Sequence, residues 1–374
     1  MTQLRSRGAL LIFAAVAVVF AQETAQFTSQ SQLVLVPFNV VHEKLFVTDL
    51  KADDVVLLQD GKPRSFSVFE GPSTPHRVPI ELILLFDTTT PLPPQPGRPR
   101  IATHWDRETT YATLTQNWDE KASEDILQFP GAEIRISIYR FDFNRLQRLC
   151  RSTNDPRVVR ESFARLLTPM SDSDSTSFVT LDKRTDEGLR IGNVTFPYSA
   201  SIAVLSDASK EPGSALRLMA VFSEGLAEPL AKAQELVDKA NDTAIPLYPV
   251  VLDYDQYFQH PSAFGRSGAM GGAPIEGPGD QPGEAKHFNG VTPLIDRFAG
   301  VGVASGGASF SPSHLNIDEV RKILETVRNE GVSQYVVGFA PESTTASARS
   351  HKLEVRLKVK SEDKMINGRR ETRY

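Results

Sequence analysis

Residues 80–91 read IELILLFDTTTP, a run that is apolar at consecutive positions and not at alternate ones. A strand with that pattern buries both faces, as the central strand of a parallel sheet covered by helices does. The run stops at Asp87 and the hydroxyls of Thr88, Thr89 and Thr90. They therefore fall at the carboxyl end of the strand, where open α/β sheets keep their ligand crevice. From residue 79 onward, strand-like runs alternate with helical periodicity. The pattern predicts a helix over 109–127, with Tyr111, Leu114, Trp118, Ala122 and Ile126 on one side, then a strand over 133–141. Asp155-Pro156 supplies a cap and a first-turn proline for a helix with Val159, Phe163, Leu166 and Leu167 on one face. A helix over 198–209, a strand over 216–222, a helix over 229–241 and a strand over 245–252 follow. The last helix, 317–329, carries the stripe Ile317, Val320, Ile323, Leu324 and Val327, with Gly331 as its stop. Alternation of this kind predicts βαβ units with right-handed crossovers.

On either side of that body the pattern turns to β. Residues 32–42, 44–50, 54–58 and 65–69 predict strands, with Asp60-Gly61 as a hairpin turn because both central positions of the favoured turn need positive φ. Strands return over 334–339, 352–360 and 365–374. Neither flank has enough strands to cover its own apolar face. Pairing the flanks into one sandwich, with the α/β domain inserted, meets both shortfalls. Within the body, 258–290 is rich in Gly and Pro and predicts an inserted surface loop.

The first 21 residues place Arg5 and Arg7 before an apolar stretch from Ala9 to Phe20, with Val19 and Ala21 at the −3 and −1 positions of a cleavage site. This is the pattern of a secretory signal peptide. About a dozen apolar residues fall short of the ~20 that a spanning helix needs. The expectation is an exported, periplasmic or extracellular protein with no transmembrane segment after cleavage. A single cysteine, Cys150, means no internal disulfide, so stability must come from the core. The 374-residue chain, 40% hydrophobic and 23% charged, is of ordinary globular composition and long enough for two domains. A net charge of −5 argues against nucleic acid as a partner, and the basic stretch from His351 onward is explained by a solvated strand face.

Several segments, in their order and spacing, resemble the bacterial, acidobacterial-type von Willebrand factor A-related family of exported proteins. They are LVLVPFNVVHEKLFVTDLKADDVVLLQDGKPRSFSVFE, ELILLFDTTTP, TFPYSASIAVL, LMAVFSEG, IPLYPVVLD, SQYVVGFAP and the closing HKLEVRLK with Arg373-Tyr374. The resemblance implies a doubly wound von Willebrand factor A-like α/β domain over 79–331, inserted in an immunoglobulin-like all-β sandwich made of 28–76 and 333–374. It also implies a metal-ion-dependent adhesion site of pattern D-x-S-x-S, completed by a threonine and an aspartate from later loops and binding Mg²⁺. Hard oxygen ligands with an open vertex suit that ion and an acidic partner group. Asp87 matches the aspartate, Thr89 the first serine and Thr195 the threonine of the second loop, whereas Glu224 replaces the later aspartate. Pro91 stands in place of the second serine and offers no side-chain oxygen. The expectation is a degenerate site, with no cofactor or a weakly held Mg²⁺, in which Asp87 satisfies backbone donors of its own loop.

Other patterns lead elsewhere. Asp172, Asp174 and Thr176 have the first spacings of a calcium loop, but Ser177 and Lys183 occupy its sixth and twelfth places. Gly300, Gly302 and Gly306 are spaced G-x-G-x-x-x-G and predict a tight turn before a strand, not a nucleotide loop. Neither G-x-S-x-G nor H-E-x-x-H occurs, and the seven histidines have no paired spacing. The sequence thus points to a non-enzymatic module that binds a protein or peptide through the carboxyl-end loops. The alternative is a structural part of an envelope assembly acting through the sandwich edges.

Overall fold

A computed structural model describes residues 33–43, 45–75, 77–89, 107–171, 173–178, 196–211, 215–223, 230–251, 298–312, 316–341, 350–358, 364–368 and 371–373. The predicted signal peptide (1–21) and the Gly/Pro-rich stretch 258–290 lie outside these residues. The strands are β1 (Val34–His42), β2 (Leu45–Phe46), β3 (Val55–Gln59), β4 (Lys62–Arg64), β5 (Val68–Glu70), β6 (Ile80–Asp87), β7 (Gln128–Phe129), β8 (Ala132–Asp142), β9 (Arg145–Thr153), β10 (Thr176–Ser177), β11 (Leu216–Ser223), β12 (Leu247–Val251), β13 (Tyr335–Phe339), β14 (Ser350–Leu357), β15 (Lys364–Gly368) and β16 (Glu371–Arg373). The helices are α1 (Arg107–Asn117), α2 (Glu120–Leu127), α3 (Pro156–Ala164), α4 (Pro197–Ala208), α5 (Leu230–Thr243), α6 (Phe298–Ala304) and α7 (Ile317–Val332).

The central sheet has the order β10-β9-β8-β6-β11-β12, with β6 parallel to both β8 and β11. All eight residues of β6 are buried, because both faces are covered. Ile80, Leu82, Leu84 and Phe86 pack with residues of α1, α2, α3 and α7. Ile83 and Leu85 point the other way and pack with α4, α5 and α6. The continuous apolar run thus yields a two-sided strand at the centre of a mixed α/β layer structure.

Three arginines, Arg140 buried and Arg77 and Arg328 half-buried, fasten the ends of helices on the first face. Arg140 of β8 donates to the carbonyls of Arg165 (2.9 Å), Leu166 (2.6 Å) and Thr168 beyond the end of α3. Arg328 of α7 donates to the carbonyls of Asp125 (2.6 Å), Ile126 and Gln128 at the end of α2. Arg77, just before β6, donates to those of Gly331 (3.1 Å), Val332 and Gln334 at the end of α7. None of these helices has a basic residue in its own last turn, so the orphan carbonyls and the negative dipole end are met from outside. Burial pulls the pKa of each guanidinium down.

The elements differ from expectation at five places, the first being β9, an antiparallel neighbour of β8 that the pattern does not predict. The 109–127 helix is two helices, because Asp119 caps α2 by accepting from the Ala122 N–H at 2.7 Å, and Trp118 turns in to stack on Phe163 at 4.0 Å. Leu167 is 40% exposed while Leu166 is buried, since α3 stops at Ala164. Gly331 does not stop α7, which runs on to Val332; a Cβ there would lie 2.7 Å from Leu218 Cδ1, so glycine lets the helix end sit on the sheet. The glycine cluster 300–306 is mostly the short helix α6, after which Phe310 runs beside β12, donating to Pro249 O and accepting from Val251 N–H, both at 2.8 Å.

The flanking strands form two further sheets, β15-β1-β13-β5 with β2 beside β1, and β16-β14-β3-β4. Each joins strands from both ends of the chain: Phe38 pairs with Tyr335, and Leu57 with Val355. Val36, Phe38 and Val40 share a core with Leu57, Val337 and Leu353. The β3–β4 turn has Asp60 at φ 50° and Gly61 at φ 77°, the pair of positive angles its sequence requires. Among the described residues no helix is long and apolar enough to cross a membrane.

Candidate functional site at the ends of β6 and β11

After β6 the chain crosses to β8 on one side; after β11 it crosses to β12 on the other. Neighbouring parallel strands whose connections leave in opposite directions define a topological switch point, the place where open α/β sheets bind ligands. Asp87 ends β6 and Ser223 ends β11, both fully buried. Ser223 Oγ donates to Asp87 Oδ2 at 2.7 Å, closing the gap between the two strand ends. The other carboxylate oxygen, Oδ1, accepts from the Thr89 N–H at 3.1 Å, an Asx turn two residues on. Thr89 Oγ1 in turn accepts from the Phe143 N–H at 3.0 Å, and Thr88 Oγ1 donates to Phe141 O at 2.9 Å. Asp87 and its threonines therefore tie together the carboxyl ends of β6, β8 and β11.

Phe143 reaches Thr89 from a strained position. It opens the two-residue turn between Asp142 and Arg145, which pair across β8 and β9, and has φ 56°. A turn with positive φ at its first central residue alone favours glycine there. An L-residue in the left-handed region costs about 1–2 kcal/mol. The Phe143 ring packs edge-on to Phe196 at 5.5 Å, immediately before α4. An aromatic residue in a glycine position, braced by a hydrogen bond from its own N–H, marks the rim of the crevice.

Of the residues expected at the site, Asp87 and Thr89 are brought together, whereas Thr195 and Glu224 lie outside the described residues, as does Pro91. Ser223 was not anticipated from sequence. Its signal is that LRLMAVFS ends on a hydroxyl at the register position where IELILLFD ends on its carboxylate. An octahedral Mg²⁺ site needs six oxygens at fixed geometry. The described residues supply one carboxylate, both of whose oxygens already accept from protein donors, and hydroxyls at Thr89 and Ser223 that are engaged with Phe143 and Asp87. Among the described residues no group of three His, Cys, Asp or Glu converges. Among the described residues, then, the candidate ligands Asp87 and Thr89 are engaged with the protein's own donors.

The remaining sequence features fall away from this crevice. Asp174 bonds to Ser173 in an exposed loop, and Asp172 lies outside the described residues. Cys150 is buried, and burial raises its thiol pKa, so it is not a reactive thiolate. Asn241, which opens the glycosylation-type triplet Asn241-Asp242-Thr243, is 4% exposed within α5.

No family model matches the chain, and no curated protein matches it. Among solved structures it is similar to a mutant of the PilB minor pilin of Streptococcus sanguinis, at 7% identity over 70% of this chain and 63% of that one, TM-score 0.39. It is similar to manganese-loaded TRAP of Plasmodium vivax, at 10% identity over 85% of this chain and 99% of that one, TM-score 0.34. A third likeness is to the vWF domain of the type V pili tip protein Mfa5 of Porphyromonas gingivalis, at 13% identity over 40% and 39% of the two chains, TM-score 0.23. The chain spans less than two thirds of the pilin and of the Mfa5 domain. At these scores the overlap establishes no common fold, and the chain's own geometry has to carry the functional reading.

Proposed function

We propose that this is an exported, non-enzymatic binding module. On this reading a von Willebrand factor A-like domain (79–331) is inserted in an immunoglobulin-like sandwich (28–76 and 333–374) and takes a protein or peptide partner on its carboxyl-end loops. The observation that carries the proposal is the Asp87–Ser223 hydrogen bond across the switch point. The carboxylate that stands where a doubly wound sheet binds its ligand is spent on holding three strand ends together. With that carboxylate committed to the frame, the crevice is suited to recognition without covalent chemistry. On this reading the metal site is degenerate: Asp87 and Thr89 are structural, Thr195 and Glu224 are its other expected ligands, and any Mg²⁺ is weakly held.

The reading in which the sandwich edges are the working surface is less well supported. Edge strand β4 consists of Lys62, Pro63 and Arg64, and proline with like charges blocks pairing with another strand. A photo-crosslinking residue placed at Thr88, and separately at Lys62, in the cells that make the protein tests the choice. Adducts from Thr88 and none from Lys62 are expected. Adducts from Lys62 alone would replace the crevice with the edge.

A further inference from the structure

At the end of the sheet away from Asp87, the end of α2, the start of β8 and the start of α3 line a cavity of about 210 Å³. Its place follows from the strand register: Ile134 in its lining pairs with Ile80, the first residue of β6, whereas Asp87 pairs with Phe141. At ~3.3 Å per residue the two ends of β6 are roughly 23 Å apart. The apolar part of the lining is Leu127, Ala132, Ile134 and Pro156, with Leu127 and Ile134 buried. Its charged part is Glu124 and Glu133, and no cation stands among the described residues that line it.

The charges around the cavity are answered one by one until a single carboxylate is left. Glu133 gives Oε1 to Arg135 Nε at 2.7 Å, which leaves Oε2 for a second donor. Asp155 caps α3 by accepting from the Arg157 N–H at 2.9 Å, and the Arg157 guanidinium lies 3.8 Å from the same carboxylate. The negative end of α2 is met by Arg328, turned onto the carbonyls of Asp125, Ile126 and Gln128. Lys121, one turn before Glu124 on α2, is bonded to Asp125 at 2.9 Å. Glu124 itself has no hydrogen-bond or ion-pair partner among the described residues. The cavity is therefore one positive charge short of balance.

We propose that this cavity is a second binding site, remote from the crevice, for one arginine side chain of a protein partner. Its volume is below the ~300 Å³ at which pockets for whole small molecules begin, so it suits a single side chain. The aliphatic stem of arginine can lie on Leu127, Ala132, Ile134 and Pro156 while the charged head stays at the rim. The planar guanidinium carries five donors, which can be shared between Glu124, Oε2 of Glu133 and the side-chain carbonyls of Gln128 and Asn154. An ammonium is a point charge with three donors and matches such a spread of acceptors less well. The site does not depend on what the crevice binds.

NMR titration of the full chain with N-acetyl-arginine amide, its neutral isostere N-acetyl-citrulline amide and N-acetyl-lysine amide tests this. Saturable shifts with the arginine probe, confined to amides of residues 124–134 and 154–156, are expected, with none from citrulline. Glu124→Gln should weaken arginine binding about tenfold, the worth of one charge-assisted hydrogen bond. The proposal is overturned if arginine gives no saturable shift, if its shifts scatter over other acidic surface, or if Glu124→Gln binds it as the wild type does. Lysine bound as tightly as arginine would overturn the assignment to a guanidinium. Should the glutamine variant fail to fold, the wild type decides: citrulline bound as well as arginine refutes a charge-selective site.

Discussion

Asp87→Ala and Asp87→Asn separate a brace from a metal ligand. Alanine removes both acceptors and leaves the Ser223 hydroxyl and the Thr89 N–H, each at a buried position, without their carboxylate. An unsatisfied buried donor costs about 1–3 kcal/mol. Two of them, partly relaxed, sum to roughly 2–5 kcal/mol. Asparagine keeps the geometry: its carbonyl oxygen accepts from Thr89 and its amide nitrogen donates to Ser223 Oγ, with the hydroxyl's role reversed. The loss is then that of a charge-assisted bond replaced by a neutral one, about 1 kcal/mol. A metal ligand behaves otherwise. Mg²⁺ at a hundred times its Kd would stabilise the wild type by about 2.7 kcal/mol, and either substitution would abolish that gain. Urea denaturation of the wild type and both variants, with Mg²⁺ and with chelator, reads all of these. The reasoning fails if asparagine costs as much as alanine, or if Mg²⁺ moves the wild-type midpoint and neither variant's.

Further outcomes follow from the same packing. Arg140→Met should destabilise by about 2–4 kcal/mol in urea denaturation, because the carbonyls after α3 and Gln147 Oε1 lose their donors, and Arg140→Lys should recover little, since one ammonium cannot replace the guanidinium fork. Ala244 follows α5 at φ 54°, while Ile245 N–H bonds back to Ala240 O at 3.0 Å, a helix terminus that favours glycine. Ala244→Gly should therefore raise stability by up to about 1 kcal/mol, read as a shift in Tm. Cys150 should react with a thiol reagent only at the rate of global opening, so labelling should slow in step with any stabilising substitution.

The parts of the fold that were legible from sequence are those set by local pattern: the two-sided run of β6, the Asp155-Pro156 start of α3, the Asp60-Gly61 turn. β9 was not, because RLQRLCRST alternates weakly and its burial comes from pairing with β8. The three arginine clasps were invisible for a different reason. Each joins a guanidinium to carbonyls 25 to 257 residues away in the chain, and a carbonyl has no side-chain signature. At the site, Asp87 and Thr89 could be found from the end of an apolar run, but Ser223 is one small polar residue among many until the parallel register sets it opposite Asp87.

The two buried carboxylates of β6 show what that register implies for function. Glu81, near the amino end, is met by the Arg217 guanidinium at 2.9 Å and the Ser137 hydroxyl at 2.6 Å, a charge-balanced arrangement within the sheet. Asp87, at the carboxyl end, is met by an N–H from its own loop and an O–H from the next strand. A paired charge inside a sheet fixes the strands themselves, and breaking it is costly. Neutral donors borne on a loop and a strand end instead fix the positions of whatever follows those strands. Any displacement at the end of β11 must therefore pull on Asp87, and through Thr89 on the turn at Phe143.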